Sequence, residues 1–221
     1  ILENLYTISE QYIGDEIVSF FGAPLNLPDH AYKACCAGVR MKQAEAEFNK
    51  KHLADGDIPR SLETRVGINT GNMVVGNMGT SMKMNYTIMG NDVNLASRLE
   101  GVNKVYRSWV LVSEQTWKEA DSGEHAGELV SRRLDKVRVI GINKPVQLYN
   151  VLGFKSEMSR VQLDEIALFH QALDKYLAKD FNGAGKMFVE ANKMFPDDGA
   201  AIVFAERCKE YISKGIRRDN Y

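Results

Sequence analysis

The sequence predicts a mixed fold of the α/β or α+β class, with a partly antiparallel sheet, followed by a purely helical tail. Three observations carry this. Short apolar runs bounded by Gly and Pro alternate with helix-spaced stripes through the first 150 or so residues. Residues 129–152 alternate apolar and polar side chains in two runs separated by GINKP, the pattern of a hairpin. From Gln162 to Ile212 strand signals stop, and apolar residues recur every three or four positions. The boundary falls at about Lys155, giving a first unit over 1–154 and a tail over 155–221.

The elements follow in order. Residues 12–23 (YIGDEIVSFFGA) are rich in Ile, Val and Phe and stop at Pro24, which predicts one strand or two strands meeting at Gly14-Asp15. Asp29 is a suitable N-cap for a helix whose inward stripe is Ala31, Ala34, Cys35, Gly38 and Met41. Such small residues let a helix lie close against a sheet. HLADGDIPRS at 52–61 is a loop by composition, whereas RVGINTG and MVVGNMG each read as a strand and a turn. NYTIMGNDVN reads as a strand entering a helix, and WVLVSE as a short buried strand. In the tail, Ala184, Phe188, Ala191 and Pro196 fit the second half of a tetratricopeptide-like unit, and they fit a plain helical hairpin equally well. A lone unit of either kind cannot bury its own face, so it is expected to pack on the main domain or on a partner protein.

Composition narrows the function classes. A net charge of −1 provides no basic field for nucleic acid or an anionic membrane. Hydrophobic residues at 44% and charged residues at 26% are the balance of a soluble globular chain. No apolar run is long enough for a membrane helix, so membrane attachment is expected only through sequence not present here. Cys35, Cys36 and Cys208 are odd in number and lack CxxC spacing, which suits a reducing, cytoplasmic setting. GNMVVGN at 71–77 has phosphate-loop glycines, but Asn77 stands where a Walker lysine belongs. The four histidines share no zinc-ligand spacing, and no GxSxG elbow is present.

Taken singly, Asp15 is an ordinary turn aspartate, and Asn94 and Arg98 are an ordinary solvated pair four residues apart on a helix. The set is not ordinary. YIGDEIVSFFGAP, DHAYKAC, RVGINTGNMVVGNMG, NYTIMGNDVNLASRLEG and NKVY occur in this order, continued by LDKVRVIG and PVQLY to about residue 152. Together they closely resemble the class III adenylate and guanylate cyclase catalytic domain, over about two thirds of the chain.

The resemblance implies an α+β sandwich with a ferredoxin-like, mixed but mainly antiparallel sheet, to which the tail adds a C-terminal helical hairpin. It also implies a head-to-tail homodimer with active sites at the interface. Asp15 matches the second of two aspartates that hold two divalent ions, Mg2+ or Mn2+, for in-line phosphoryl chemistry. Asn94 matches the residue that orients the ribose, and Arg98 the one that stabilises charge at the α-phosphate, both supplied by the opposite subunit. Thr87 matches the purine-reading position with a hydroxyl typical of bacterial adenylate cyclases, which makes ATP the expected substrate and GTP the alternative.

Three departures qualify this. The first metal aspartate's place falls on Ile1, which cannot ligate a hard cation. The family has a long helix and a strand ahead of YIGD where this sequence has none, so residues are expected to be missing between Gln11 and Tyr12; were the join real, Gln11 would hold the purine-selecting position usually occupied by Lys. The phosphate-binding Lys expected after VRVxG is replaced by Ile142, with Lys144 two residues on. These departures leave open a degenerate cyclase domain that binds nucleotide or a partner without turnover. An interaction module acting through the tail is a third reading. Thr87→Val is expected to weaken discrimination of ATP from GTP, because a hydroxyl contact that reads the base is lost. Steady-state kcat/KM with both nucleotides checks it, and unchanged ratios would remove Thr87 from base recognition.

Overall fold

Strand β6 (Val110–Ser113) is buried on both faces and organises the rest. Its side chains alternate: Val110 and Val112 enter one apolar cluster, and Leu111 enters another on the opposite face. This explains why VLV reads as an unbroken apolar run rather than a half-buried strand. The computed structural model describes residues 9–13, 15–80, 82–138, 145–196 and 198–215.

β6 lies in a four-stranded sheet of order β3-β6-β8-β7, with β3 at Val66–Ile68, β7 at Leu129–Val137 and β8 at Val146–Phe154. β3 runs parallel to β6, and the other two pairings are antiparallel. Two antiparallel ribbons stand beside it. One pairs β1 (Ser9–Ile13) with β2 (Glu16–Phe20), and the other pairs β4 (Val74–Thr80) with β5 (Lys83–Met89). The fold is α+β with mainly antiparallel pairing, and its strands are divided among three sheets among the described residues.

Helices cover both faces of the central sheet. On one side α1 (His30–Ala54) buries Ala31, Cys35, Cys36 and Val39 against Val110, Val112 and Val151, beside the short α3 (Glu114–Ala120). Burial pushes the Cys35 thiol up, so it stays protonated and acts as packing. Asp29 does occupy the N-cap position of α1, but its side chain caps nothing; it faces Lys33 at 3.3 Å instead.

On the other face lie α2 (Asn91–Tyr106) and the tail, which forms three helices rather than two: α4 (Arg160–Leu177), α5 (Phe181–Met194) and α6 (Gly199–Ser213). Each tail helix has a sequence-encoded start. Ser159 and Gln162 form a capping box, Asp180 accepts from the Gly183 amide, and Asp198 accepts from the Ala200 amide. Leu95, Leu99 and Tyr106 of α2 share one core with Phe169, Phe188 and Phe204 of the tail. The three phenylalanine rings meet at 5.1–5.6 Å between centroids. Among the described residues, no helix is long and apolar enough to cross a membrane.

A buried ion cluster fixes the tail to β7. The Arg132 guanidinium donates to Glu165 of α4 at 2.7 Å and to Asp198 at the start of α6, and stacks 4.3 Å from the centre of the Phe169 ring. Burial pushes the Glu165 carboxyl up from 4.5 to about 7, against the pull of Arg132, and the Asp198 carboxylate adds to the rise. The folded state therefore holds this proton more tightly than the unfolded chain. The associated stability is fully present below about pH 4.5 and is lost as pH rises through about 7. Glu165→Gln, which keeps the shape and leaves Asp198 to balance Arg132, is expected to remove most of that decline, on the order of 2 kcal/mol. Urea unfolding of both proteins from pH 5 to pH 8 checks this.

Candidate active site

The two residues that begin the site are carried by the ribbons. Asp15 sits exposed in the turn between β1 and β2, next to the Ile13–Glu16 pair. Thr87 lies half-buried on β5, opposite Gly76 of β4. The ribbons adjoin: β1 contacts β5, and Phe20 meets Tyr86 with ring centroids 6.1 Å apart. Gln11 and Tyr12 are consecutive in β1, and their pairing with Val18 and Ile17 runs on without a break.

Asn94 and Arg98 are on α2, which starts two residues after β5 ends. Asn94 is exposed and Arg98 half-buried, one helical turn apart on the flank beside Leu95 and Leu99, which are sealed in the core. Neither side chain, nor that of Asp15, makes a hydrogen bond or ion pair with a described residue. The structure thus brings Asp15 and Thr87 onto neighbouring ribbons and Asn94 and Arg98 onto one helix face. No hydrogen bond joins the two sets among the described residues. Ile1, Ile142 and Lys144 lie outside the described residues.

The placement of α2 is set by residues that the sequence reading passed over as part of a strand and a turn. Strand β3 passes so near that a Cβ on Gly67 would fall 2.2 Å from the Ala96 carbonyl oxygen and 2.3 Å from the Glu100 nitrogen. Asn69, just beyond β3, donates through Nδ2 to the Asp92 carbonyl at 3.0 Å and to its carboxylate at 3.2 Å. A Cβ on Gly71 would lie 2.2 Å from Asp92 Cγ, so the loop closes directly over that carboxylate. At the other end of the helix, the fully buried Asn103 donates to the Val66 carbonyl at 3.0 Å and accepts from Ser108 Oγ at 2.9 Å. The available signal for Asn69 was an amide at a strand end, where such residues leave the ladder and bond locally.

Among the described residues, no group of three or more His, Cys, Asp or Glu side chains is arranged to hold a metal ion. Asp15 is a single exposed carboxylate, which suits a hard cation as one ligand of several.

Comparison with known proteins gives this arrangement a context. Residues 3–153 match the model of the adenylate and guanylate cyclase catalytic domain. The chain is 32% identical over 205 residues to the terminal-differentiation specific adenylate cyclase of Dictyostelium discoideum, covering 92% of this chain and 9% of that protein. That alignment therefore runs on into the helical tail. Adenylate cyclase 1 of Rhizobium meliloti is 41% identical over 144 residues, covering 65% of this chain and 20% of the relative. The chain thus spans a small part of the curated relatives it matches. Among solved structures, the adenylyl cyclase CyaB from P. aeruginosa aligns with a TM-score of 0.62 and 31% identity, over 72% of this chain and 78% of that one. The guanylyl cyclase Cya2 aligns with a TM-score of 0.58 and 29% identity, over 72% of this chain and 76% of that one.

Gly67→Ala is expected to force α2 off β3, because its new Cβ meets helix backbone rather than a side chain that can move. Overpacking of this kind costs about 1–3 kcal/mol. Equilibrium unfolding in denaturant checks it, and an unchanged midpoint would show that β3 and α2 can part at no cost to stability.

Proposed function

Because this chain belongs to the adenylate and guanylate cyclase catalytic domain family, we propose that it is the catalytic end of an adenylate cyclase, converting ATP to 3′,5′-cyclic AMP and pyrophosphate in a signalling pathway. The observation that carries this is the placement of Asn94 and Arg98 together on the outward face of α2, without described partners of their own. In the reaction the ribose 3′-oxygen attacks the α-phosphate, the new P–O bond closes the ring, and pyrophosphate leaves. Asn94 orients the ribose. Arg98 holds the charge that builds on the α-phosphate oxygens, a task for which a planar guanidinium with forked donors is well shaped. Thr87 reads the purine edge, and the naming of the matched relatives as adenylate cyclases supports ATP over GTP.

Class III cyclase domains use divalent metal ions. The pair of Mg2+ or Mn2+ ions implied by the resemblance would be held in part by Asp15, and when bound it would neutralise phosphate charge and ease loss of the 3′-hydroxyl proton. The place of the first aspartate falls on Ile1, so this chain as written offers one of the two carboxylates. That substitution and Ile142 favour the second reading, a domain that binds nucleotide or a partner without turnover. Assays of the full-length protein with ATP and GTP in either metal separate the two readings: nucleotide binding without cyclic product selects the second.

The site is proposed to be shared across a homodimer. A two-stranded ribbon is marginal in water on its own, yet the β4–β5 ribbon leaves Val74 65% and Met89 60% exposed as a directly opposed pair on one face, Met84 62% exposed on the other face, and Met82 at its tip 95% exposed. An exposed apolar pair such as Val74 and Met89, on the face that also carries Thr87, suits burial against a second subunit. The tail's inner face is taken up by its own domain, so any protein partner must use the outer one. Asp15→Asn and Arg98→Ala are each expected to abolish turnover, the second by about a hundredfold or more. Mixing the two inactive proteins should restore activity, because one of the two interface sites in the mixed dimer is intact. Heterodimers that form but make no cyclic nucleotide, while the wild type is active, would overturn the shared site.

A further inference from the structure

The start of α2 lacks an ordinary cap. Its N-cap residue is Gly90, which has no side chain to accept from the first free amides. The helix is instead fixed from the side. Asn69 Nδ2 donates to both the backbone carbonyl and the carboxylate of Asp92, in the first turn, at 3.0 and 3.2 Å. On its other side, Asn69 Oδ1 accepts from Ser113 Oγ at 2.6 Å, and Ser113 Oγ in turn accepts from the Thr116 amide at 3.4 Å to start α3. One amide group therefore ties the first turn of α2 to the first turn of α3, across the end of β3. Both ends of the tie are closed in: Gly71 has no room for a Cβ beside Asp92, and Ser113 is buried.

Asp92 precedes Asn94 by two residues and Arg98 by six. A slip or rotation of the first turn would carry both side chains with it. Given the shared-site reading, on which this rests, we propose that Asn69 is a positioning residue for the active site. It sets where Asn94 and Arg98 reach into the nucleotide held by the partner subunit, without touching that nucleotide itself. Misplacement of a reacting group by about 1 Å can cost roughly a hundredfold in rate. Loss of Asn69 should then fall mainly on kcat, where Arg98 acts, with a much smaller change in the KM for ATP.

The test is a complementation experiment on the full-length protein. Asn69→Ala alone should lower kcat by about a hundredfold. Mixed with Asp15→Asn it should regain activity, because one site of that heterodimer combines the Asp15 of the Asn69→Ala subunit with correctly placed Asn94 and Arg98 from the other. Mixed with Arg98→Ala it should stay inactive, because both defects lie on the same half of the site. Asn69→Asp, which keeps the size and the Ser113 contact but sets a carboxylate against Asp92, should fall in the same group, and it serves if the alanine variant folds poorly. Restoration by Arg98→Ala, or failure with both partners for both variants while Asp15→Asn and Arg98→Ala restore one another, would overturn the assignment. If that control pair itself fails, or the wild type makes no cyclic nucleotide, the shared-site reading falls and takes this proposal with it.

Discussion

The backbone of β3 touches the backbone of α2, and much of the molecule is arranged around that contact. With no Cβ at Gly67, the Ala96 carbonyl and the Glu100 amide approach the strand to a distance that any side chain would forbid. The helix is pinned at both ends of this approach, by Asn69 on Asp92 and by Asn103 on the Val66 carbonyl. These are hydrogen bonds of side-chain amides to backbone, the first between half-buried residues and the second from the fully buried Asn103. Losing the Asn103 bond would strand a buried amide at a cost of about 1–3 kcal/mol. A helix held at two points by such groups, with the Gly67 approach between them, has little freedom to roll. Its outward face, with Asn94 and Arg98, takes its direction from the sheet beneath.

The underside of the same helix depends on the tail. Leu95, Leu99 and Tyr106 are sealed by tail residues, and α6 begins so close to the end of α2 that a Cβ on Gly199 would lie 2.4 Å from the Arg107 carbonyl. Tyr106 donates to Asp135 at 3.1 Å, and Arg207 of α6 reaches the same carboxylate oxygen at 2.6 Å. Burial pushes the Tyr106 phenol up, so it remains a donor. Together with Arg132 and its two carboxylates, these contacts make the tail part of the domain's packing, although the change in periodicity near Gly153 marks it off in the chain. Buried ion clusters contribute modestly to stability, because desolvation offsets most of the attraction. What they do here is define one docking of α4 and α6 on β7, since any other would leave Arg132 unpaired.

Legibility in the sequence followed the range of the interaction. Elements with their own periodicity were readable: the strand pair around Gly14-Asp15, the small-residue face of α1, the buried β6, the β7–β8 hairpin, and the tail stripe through Ala184, Phe188 and Ala191, all three fully buried. The third tail helix and α3 were not read out, since α3 is two turns long and its start rests on Ser113, which the sequence presents as the end of a strand. Asp29 looked like a cap and occupies the cap position, but a lysine one turn on offered its carboxylate a charged partner instead. Periodicity gives the face of a helix and not what that face meets, so the merging of tail and α2 cores was invisible. Asn69 was hidden for the same reason. Its partners lie 23 and 44 residues away, and only the fold brings them to one amide.

The separation of the candidate site into two halves has a physical logic. An aspartate and an arginine in one flexible chain tend to find each other, and once paired they are poorly placed to bind a nucleotide. Here Asp15 is carried on a ribbon turn and Arg98 on a helix tied to a different sheet, and neither pairs with a described residue. Charge-stabilising groups are most effective when they are already oriented and need not reorganise as the reaction proceeds. The separate mounts keep the two charges from collapsing onto each other, and for Arg98 the helix fixed on β3 sets a direction before any substrate arrives. On the proposed shared-site reading, the cost of that arrangement is an incomplete site in each subunit, with an exposed apolar ribbon beside it. In the proposed dimer the same ribbon is what brings the halves together, so burial of the Val74–Met89 face and assembly of the site are one event.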